Sequence, residues 1–400
     1  MSKKITNLTQ SGYLGLFVGL VVSFPCVVNS AQWYSESSTR FRSVYDDNLR
    51  LTSGDHDAVV GMILAGTIKA GKRTETSNIN VKGGTTLKKY SGEDNLDTND
   101  FDLGIDATHR TKRDEFTLTT AVKLDSTLSS EIQSSGLMQR RKRRIKKDFA
   151  LSWARSLSER TSLKLSYSYL DTDYKNIKNT GLSNYTYQSI ESMLSYSLDK
   201  KTNISLTLRS SLYKGSNRTK TEMQDYGVSA RINHNFSETF SVGAGAGLRY
   251  SDTEYRAIQI DNHNTDTGFL LNVNVKHTFE QMTVNGLLSR SVMPSGAGAL
   301  LVTDKLSAEI DYRVDERLNL NIESAVYRNS SADEDDESRD RVFFSIQPKV
   351  RWKLTRRWLI EGSYRYRRQR YDSTGLTADS NAVFLSAKYV WPSKPSAGLW

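Results

Sequence analysis

The sequence predicts a transmembrane antiparallel β-barrel of about 18 strands, and three features of the chain support that prediction. Runs of strictly alternating apolar and polar residues fill most of the chain after the first thirty positions, and a period of two is typical of β-strands. The breaks between runs are alternately short and long, as in barrels with short periplasmic turns and long extracellular loops. The N-terminus has the pattern of an export signal. About 16 strands also fit, because the first strand and residues 141–147 have a weak pattern.

The clearest alternation lies between Leu306 and Val326. Apolar residues occupy every second position from Leu306 to Val314 and again from Leu318 to Ile322, with polar or charged residues between them. Each strand therefore has one apolar and one polar face, and the charged break at residues 315–317 predicts a hairpin turn. With the apolar face toward lipid, this turn lies on the periplasmic side.

Composition narrows the choice of all-β architectures. Only 37% of the 400 residues are hydrophobic, Tyr is abundant at 20 and Pro is scarce at 5. A soluble domain has roughly 45–50% apolar residues in a count that includes Gly. The sequence has no long amphipathic helix after position 30. Strands with a single apolar face fit a sandwich, a solenoid or a barrel surrounded by lipid.

The N-terminus favours the barrel in lipid. Lys3 and Lys4 precede a short apolar run at residues 14–24, and small residues follow near position 30. This pattern predicts a signal peptide over residues 1–30, which is too short to serve as a membrane anchor. Cys26 is the single cysteine; Pro25 disfavours its alternative interpretation as a lipidated residue. The mature chain then has no disulfide.

The predicted domains follow from this boundary: a barrel over residues 31–391 and a short tail over residues 392–400. Removing Lys3 and Lys4 with the signal lowers the formal charge from +10 to +8. No later segment approaches the roughly 20 apolar residues of a membrane helix, so insertion requires a closed barrel. We expect the outer membrane of a Gram-negative bacterium, with the barrel assembly machinery as a partner and Trp391 or Trp400 as the terminal aromatic residue. The oligomeric state stays open.

Aromatic residues near the strand ends predict the interfacial girdles of a membrane barrel. The alternative is a set of core aromatics in a soluble protein. The tyrosines expected toward the outer ends are Tyr167, Tyr169, Tyr250, Tyr312, Tyr364, Tyr366 and Tyr371, and the tryptophans expected near the short turns are Trp153, Trp352, Trp358 and Trp391.

The polar strand faces predict a charged lumen, meaning the space that the barrel encloses. Charged side chains on the wall of a wet lumen select permeating solutes; alternatively, they form cross-strand pairs that stabilise the wall. The lumen-facing candidates are Arg209, Arg231, Arg249, Lys276, Glu309, Asp311, Arg313, Glu361, Arg365 and Arg367.

A basic run stands out in the predicted connection 125–147. In an exported barrel it predicts binding of lipopolysaccharide or an acidic polysaccharide at the outer surface, and nucleic acid is not expected. A solvated loop is the alternative interpretation. The run consists of Arg140, Arg141, Lys142, Arg143, Arg144, Lys146 and Lys147.

Catalytic and metal-binding patterns are weak, so we expect neither an enzyme, a metal nor a cofactor. The five histidines share no metal-ligand spacing. His234 and His277 are expected near short turns, and His56 and His263 in outer loops. A barrel hydrolase would need one of these loop histidines beside a Ser or an acidic partner.

The first strand and the strands that follow it resemble those of a known family. Phe41, Tyr45 and residues 46–48 end that strand, Val60–Ile68 form the next run, and turn-separated strands continue to the C-terminus. In this the chain resembles the β-barrel porin type 2 family. The resemblance implies an outer-membrane barrel associated with exopolysaccharide biosynthesis and export, with polysaccharide export components as partners. The family provides no catalytic residues to carry over.

We therefore expect a porin-like channel linked to exopolysaccharide export or to the passage of charged solutes. The alternative is a structural or adhesive outer-membrane protein that binds anionic glycans or lipopolysaccharide through basic outer loops.

Overall fold

The fold is described from a computed structural model. It describes residues 31–91, 96–131, 141–178, 180–216, 220–257, 260–331, 340–372 and 374–392. The predicted signal peptide, Arg140 and residues 393–400 lie outside these ranges, so the expectations placed on them stay predictions. In the described ranges, no helix is long and apolar enough to cross a membrane.

Eighteen strands and one short helix make up the described chain. The strands are β1 Gln32–Asp46, β2 Val59–Arg73, β3 Ser77–Tyr90, β4 Thr98–Arg110, β5 Asp114–Ser126, β6 Arg143–Ser156, β7 Thr161–Tyr174, β8 Asn184–Ser197, β9 Thr202–Ser216, β10 Lys220–Asn235, β11 Phe240–Ala257, β12 Ile260–Thr278, β13 Met282–Pro294, β14 Leu300–Arg313, β15 Leu318–Ser331, β16 Arg341–Lys353, β17 Trp358–Tyr371 and β18 Thr377–Val390. The helix is α1 Thr127–Ser130.

The strands form one closed antiparallel barrel. Each strand pairs with the next along the chain, and β1 pairs with β2 on one side and β18 on the other, from Ser38↔Val390 to Asp46↔Ala382. The predicted fold class and the count of 18 are confirmed, and the alternative count of 16 is wrong. The first strand is fully formed, and residues 143–147 belong to β6 instead of a loop.

The two faces of the wall have the polarity expected in lipid. Leu306 and Leu385 are 58% and 61% exposed on the outside, whereas Asp46 and Arg367 are 0% and 4% exposed on the inside. A soluble protein buries its apolar face because water penalises apolar surface. Here the exposed apolar belt requires an apolar surrounding, and many of the polar side chains bond to one another within the barrel.

Most predicted girdle residues lie on the outer surface; Tyr250, Trp352 and Trp391, for example, are exposed. Two placements differ from the prediction. Tyr312 pairs with Met282 beside a short turn, because β14 runs toward that turn. Tyr371 has the same strand parity as the buried Arg367 and Gln369 and therefore lies on the lumen side.

Aspartates define several short turns. Oδ1 of Asp315 accepts hydrogen bonds from the backbone N–H groups of Arg317 and Leu318 at 2.6 and 2.8 Å. Asp199 makes the same contacts with Lys201 and Thr202. Because these donors favour the ionised form, they lower the pKa of Asp315 and of Asp199 below the usual range.

Candidate functional site: the charged lumen

The lumen contains a cavity of about 630 Å³ between β12 and β17. Among the predicted lumen residues, Lys276, Glu309, Arg365 and Arg367 line it. Glu323 on β15 also contributes to the lining. The strands thus bring residues separated by about ninety positions in sequence around one polar space.

A buried network closes one side of this cavity near the outer loops. The fully buried carboxylate of Asp46 accepts hydrogen bonds from Arg365 at 3.0 Å, Arg367 at 3.1 Å and Ser380 at 2.9 Å. Two guanidinium groups therefore share one carboxylate. In the sequence, Asp46 belongs to the motif that ends the first strand. It shares its strand parity with Arg40 and Arg42, and this parity is the sequence signal that places it inside the barrel.

The same network holds the first outer loop inward. Asn48 donates to the backbone oxygens of Thr52 and Asp379 at 2.8 and 2.9 Å, and Arg367 donates to the carbonyl of Asn48 at 3.3 Å. Leu51, with a left-handed φ of 53°, packs against Tyr327 and Phe343. We call residues 47–52 the first-loop cap.

A second group of charged residues lies on the wall closer to the short turns. Glu361 accepts from Arg42 at 3.5 Å and from Arg351 at 3.1 Å, and Arg351 lies 3.8 Å from Asp311. Asp311 also accepts from Asn319 at 2.6 Å. Again one carboxylate, that of Glu361, is shared by two guanidinium groups.

The predicted arginines of β9, β10 and β11 are engaged in fixed contacts. Arg249 pairs with Asp266 and lies 3.6 Å from Asp225. Arg209 donates to the hydroxyl of Tyr187, and Arg231 donates to Asn274 and Asn233. These contacts fit the interpretation that the charged residues form cross-strand pairs and stabilise the barrel wall.

The remaining predicted lumen residues are more accessible. Arg313 is exposed near the short turns and donates to the carbonyl of Glu280 at 3.1 Å. Glu309 accepts from Asn321 at 3.3 Å. Lys276 is exposed to the cavity. Within the described residues, it forms no ion pair.

A second inward element covers the opposite side of the lumen. The end of the β13–β14 hairpin, residues 291–302, packs into an apolar cluster with residues of β7 to β10. Tyr213 donates to the carbonyl of Ser295 at 2.9 Å, and the N–H of Ser183 donates to the carbonyl of Gly296 at 2.7 Å. We call residues 291–302 the β13–β14 tip. The sequence contains a signal for this inward packing. Tyr185, Tyr187 and Tyr213 are large aromatic residues at strand positions whose side chains face the lumen.

The basic run divides between the two faces of β6. Arg144 is buried and donates to Asp125 at 2.8 and 2.7 Å and to Glu131 at 3.3 Å, so its prediction as an external anion ligand is wrong. Lys146 lies 3.0 Å from Asp148 on the same face.

The other members have different surroundings. Lys147 has the parity of the exposed Phe149 and lies 2.8 Å from Asp171. Arg143 donates to the carbonyl of Asn99 at 2.6 Å. Arg141 and Lys142 precede the strand and are partly exposed.

The histidines do not form a common site. His263 lies on β12 instead of in an outer loop, 3.2 Å from Asp252, because β11 and β12 extend beyond the predicted turn. His56 lies in the first outer loop and contacts the carbonyl of Gly54. Within the described residues, no group of three or more His, Cys, Asp or Glu side chains is arranged to hold a metal.

Comparisons with known proteins yield solved barrels at low identity. No family model and no curated protein matches the chain. Acinetobacter baumannii OccAB4 is 9% identical, with 91% of this chain and 98% of that chain covered and a TM-score of 0.49. Pseudomonas aeruginosa OpdL is 10% identical, with 90% and 99% covered and a TM-score of 0.45. The ferric-catecholate import receptor Fiu from E. coli K12 is 7% identical, with 89% and 81% covered and a TM-score of 0.47. The strand pairing itself defines the closed barrel.

Proposed function

We propose that this protein is an outer-membrane channel that conducts charged solutes and prefers anions. The observation that carries the proposal is the charged cavity inside a closed barrel, lined by Lys276, Arg365 and Arg367. Charged rings on a wet pore wall select ions by sign. The apolar exterior supports residence in lipid, and the predicted signal peptide supports export to the outer membrane.

The preference for anions follows from how the charges are shared. Asp46 faces two arginines, and Glu361 faces two more. The Asp46 site therefore has more guanidinium than carboxylate charge, whereas at the second site Glu361 and Asp311 balance Arg42 and Arg351. Lys276 adds a further cation on the cavity wall, which also carries the carboxylates of Glu309 and Glu323. Lys349 pairs with Glu323, so the cations of this region still outnumber its carboxylates.

Export of an anionic exopolysaccharide is the narrower form of this proposal. It rests on the resemblance in strand pattern and in the Phe41–Asn48 motif, together with the cationic wall. Polysaccharide export components and the barrel assembly machinery would be the partners. Addition of an anionic polysaccharide should interrupt ion current reversibly, whereas a neutral dextran of equal size should do so less often.

Conductance in planar bilayers tests the channel directly. In a KCl gradient, the reversal potential should shift toward that of chloride. Lys276→Gln should weaken the anion preference by less than about fivefold, since a lumen charge in water contributes about 1 kcal/mol or less at close range. Lys214→Gln, on the outer face beside Glu222, is the matched control. A correctly folded barrel without conductance would contradict the proposal.

The adhesive function is the second candidate because Arg143 and Lys147 lie toward the outer end of β6. A triple variant, Lys142→Gln with Arg143→Gln and Lys147→Gln, should weaken salt-sensitive binding to lipopolysaccharide vesicles if this function holds. Unchanged binding would remove it, whatever the conductance.

A further inference from the structure

The β12–β13 seam of the barrel wall lacks a strand ladder over its outer part. The β12–β13 ladder runs from Thr278↔Thr283 to Leu271↔Arg290 and ends there. Above that pair, β12 continues alongside β11 to Ile260, while β13 continues alongside β14 to Pro294. The two hairpins therefore separate over their outer parts.

The separated hairpins overlap instead of leaving a gap. Leu288 and Leu306, on the outer face of β13 and β14, are 43% and 58% exposed. Val292 and Val302 continue the same face, yet they are only 7% and 4% exposed. They pack with Tyr213 and Met223, and Leu270 on the lumen side of β12 packs against the same cluster. The β13–β14 tip thus lies behind β12, inside the barrel.

This overlap makes the outer part of the seam easier to open than a stretch of wall whose strands are paired. Elsewhere, parting two strands breaks backbone hydrogen bonds, and each unsatisfied group costs several kcal/mol in lipid. Above Leu271 and Arg290, apolar side-chain contacts join β12 to the tip. An acyl chain can replace such contacts, and moving the tip aside also breaks its hydrogen bonds with Tyr213 and Ser183.

The residues around the seam have the chemistry of an anionic amphiphile site. Outside, Arg290 lies 4.4 Å from the ring centroid of Phe269, whose side chain is 51% exposed; a cation above an exposed ring fits the interfacial level of a membrane. Arg290 also lies 3.3 Å from Asp304 on β14, and an anionic headgroup would replace that carboxylate as its partner. Inside, Leu287 lines the cavity close to Lys276. A route across the seam therefore has a cation on each side and apolar side chains between them.

We propose that the β12–β13 seam is a lateral gate through which an amphiphile with one acyl chain and an anionic headgroup exchanges between the outer leaflet and the lumen. Arg290 receives the headgroup at the outside, and the acyl chain displaces the contacts of Leu270 with the β13–β14 tip. This proposal rests on the barrel lying in a membrane, but it does not require an axial anion current.

A disulfide provides a reversible lock for the tip. A Cβ placed on Gly298 would lie 3.5 Å from Cβ of Ser183, within the range for a disulfide. Ser183→Cys with Gly298→Cys, in a Cys26→Ser background, should therefore bind the tip to the β7–β8 connection. Because Gly298 has a φ of 88°, Gly298→Cys alone controls for backbone strain.

The probe is palmitate with a diazirine on its chain, in phosphatidylcholine vesicles that contain the folded barrel. After illumination of the reduced double variant, peptide mass spectrometry should find adducts on the inward-facing Leu270 and Leu287. Oxidation should lower those adducts at least fivefold, while adducts on the outward-facing Leu248 stay unchanged. The single variant should show no response to oxidation.

Two results would overturn the gate. Adducts confined to outward-facing residues in both redox states would show that the probe does not cross the seam. A lock that lowers conductance but leaves the inner adducts unchanged would make the tip an axial gate instead. Absence of conductance alongside redox-sensitive inner adducts would reject the channel proposal and leave the lateral gate standing.

A separate experiment tests whether Arg290 recognises the anionic headgroup. Arg290→Gln should lower inner labelling by the palmitate probe several-fold, with partial recovery in Arg290→Lys, and should not change labelling by a diazirine hexadecanol. Arg368→Gln is the control, because Arg368 is an exposed outward-facing arginine far from the seam along the barrel wall. Equal losses with both probes would reject a role for Arg290 in headgroup recognition.

Discussion

The first-loop cap and the β13–β14 tip both fill the outer part of the lumen, but different forces hold them. The first-loop cap is fixed by the buried carboxylate of Asp46, by arginines and by Asn48. The tip is held mainly by apolar side chains, with a few hydrogen bonds to Tyr213 and Ser183. Charged networks have steep distance and geometry requirements, whereas apolar contacts are non-directional. We therefore expect a rigid cap and a displaceable tip.

The largest expected effect comes from breaking the charged side of this comparison. Asp46→Ala leaves two guanidinium groups without their shared carboxylate, and removing one partner of a buried pair costs about 3–5 kcal/mol. The free energy of unfolding in urea, measured in lipid vesicles, should fall by that amount. Asp379→Ala, which removes an exposed carboxylate 3.8 Å from Arg368, should cost less than about 1 kcal/mol. Equal losses would mean that the Asp46 network does not fix the cap.

Met223 tests the apolar side. Its side chain is fully buried in the cluster that holds the β13–β14 tip, and Met→Ala in a core costs about 2–5 kcal/mol. Outside its own hairpin, the tip is joined to the barrel ladders only through the Leu301↔Ser331 and Val302↔Ser330 pairs with β15, so we expect the loss to favour the displaced tip. Single-channel conductance should rise or fluctuate more often. Phe343→Ala, which loosens the contact of the first-loop cap with Tyr327, should change conductance less because the charged network remains.

Both regions depend on a wall with its apolar face outward, and Ile310 tests that orientation. Ile310 faces outward between Ala308 and Tyr312, opposite Ile322 on β15. Arg at a lipid-facing position near the midplane costs about 2–4 kcal/mol. Ile310→Arg should lower the free energy of unfolding in vesicles by that amount. If Ile310→Arg folds with unchanged stability while Asp311→Leu fails to fold, the two faces are reversed.

The sequence predicts the wall well and the inward elements poorly, for a physical reason. Alternation within a strand depends only on neighbouring residues, so the outward position of Leu306 and the inward position of Glu309 follow from the local pattern. The partners of Asp46 lie more than 300 positions away, and only closure of the barrel brings them together. The separation of β12 from β13 depends on Val292 and Val302, whose apolar character fits lipid and the cluster equally well.

The same distinction applies to the candidate charges. The pattern places Arg249 and Lys276 on the polar face, but it cannot separate a paired residue from an exposed one. Arg249 has Asp225 and Asp266 beside it because β10 and β12 flank β11. In the basic run, Arg144 turns inward and Lys147 outward because β6 begins earlier than the sequence indicates.

The smallest expected effect lies at the turn of Asp315, far from both inward elements. There a single carboxylate should stabilise only its own turn. The backbone donors of Arg317 and Leu318 lower the pKa of Asp315. The turn therefore has its full stabilisation above the unfolded-state pKa of about 3.9 and loses it as the pH falls through the lower folded-state pKa. Hydrogen exchange of the Arg317 and Leu318 amides, corrected for the intrinsic pH dependence, should speed up across that acidic window. Asp315→Asn, which cannot ionise, should show no such change, and the amides of the first-loop cap should not respond to the substitution. A response at the cap would mean that the turns and the lumen network unfold as one unit.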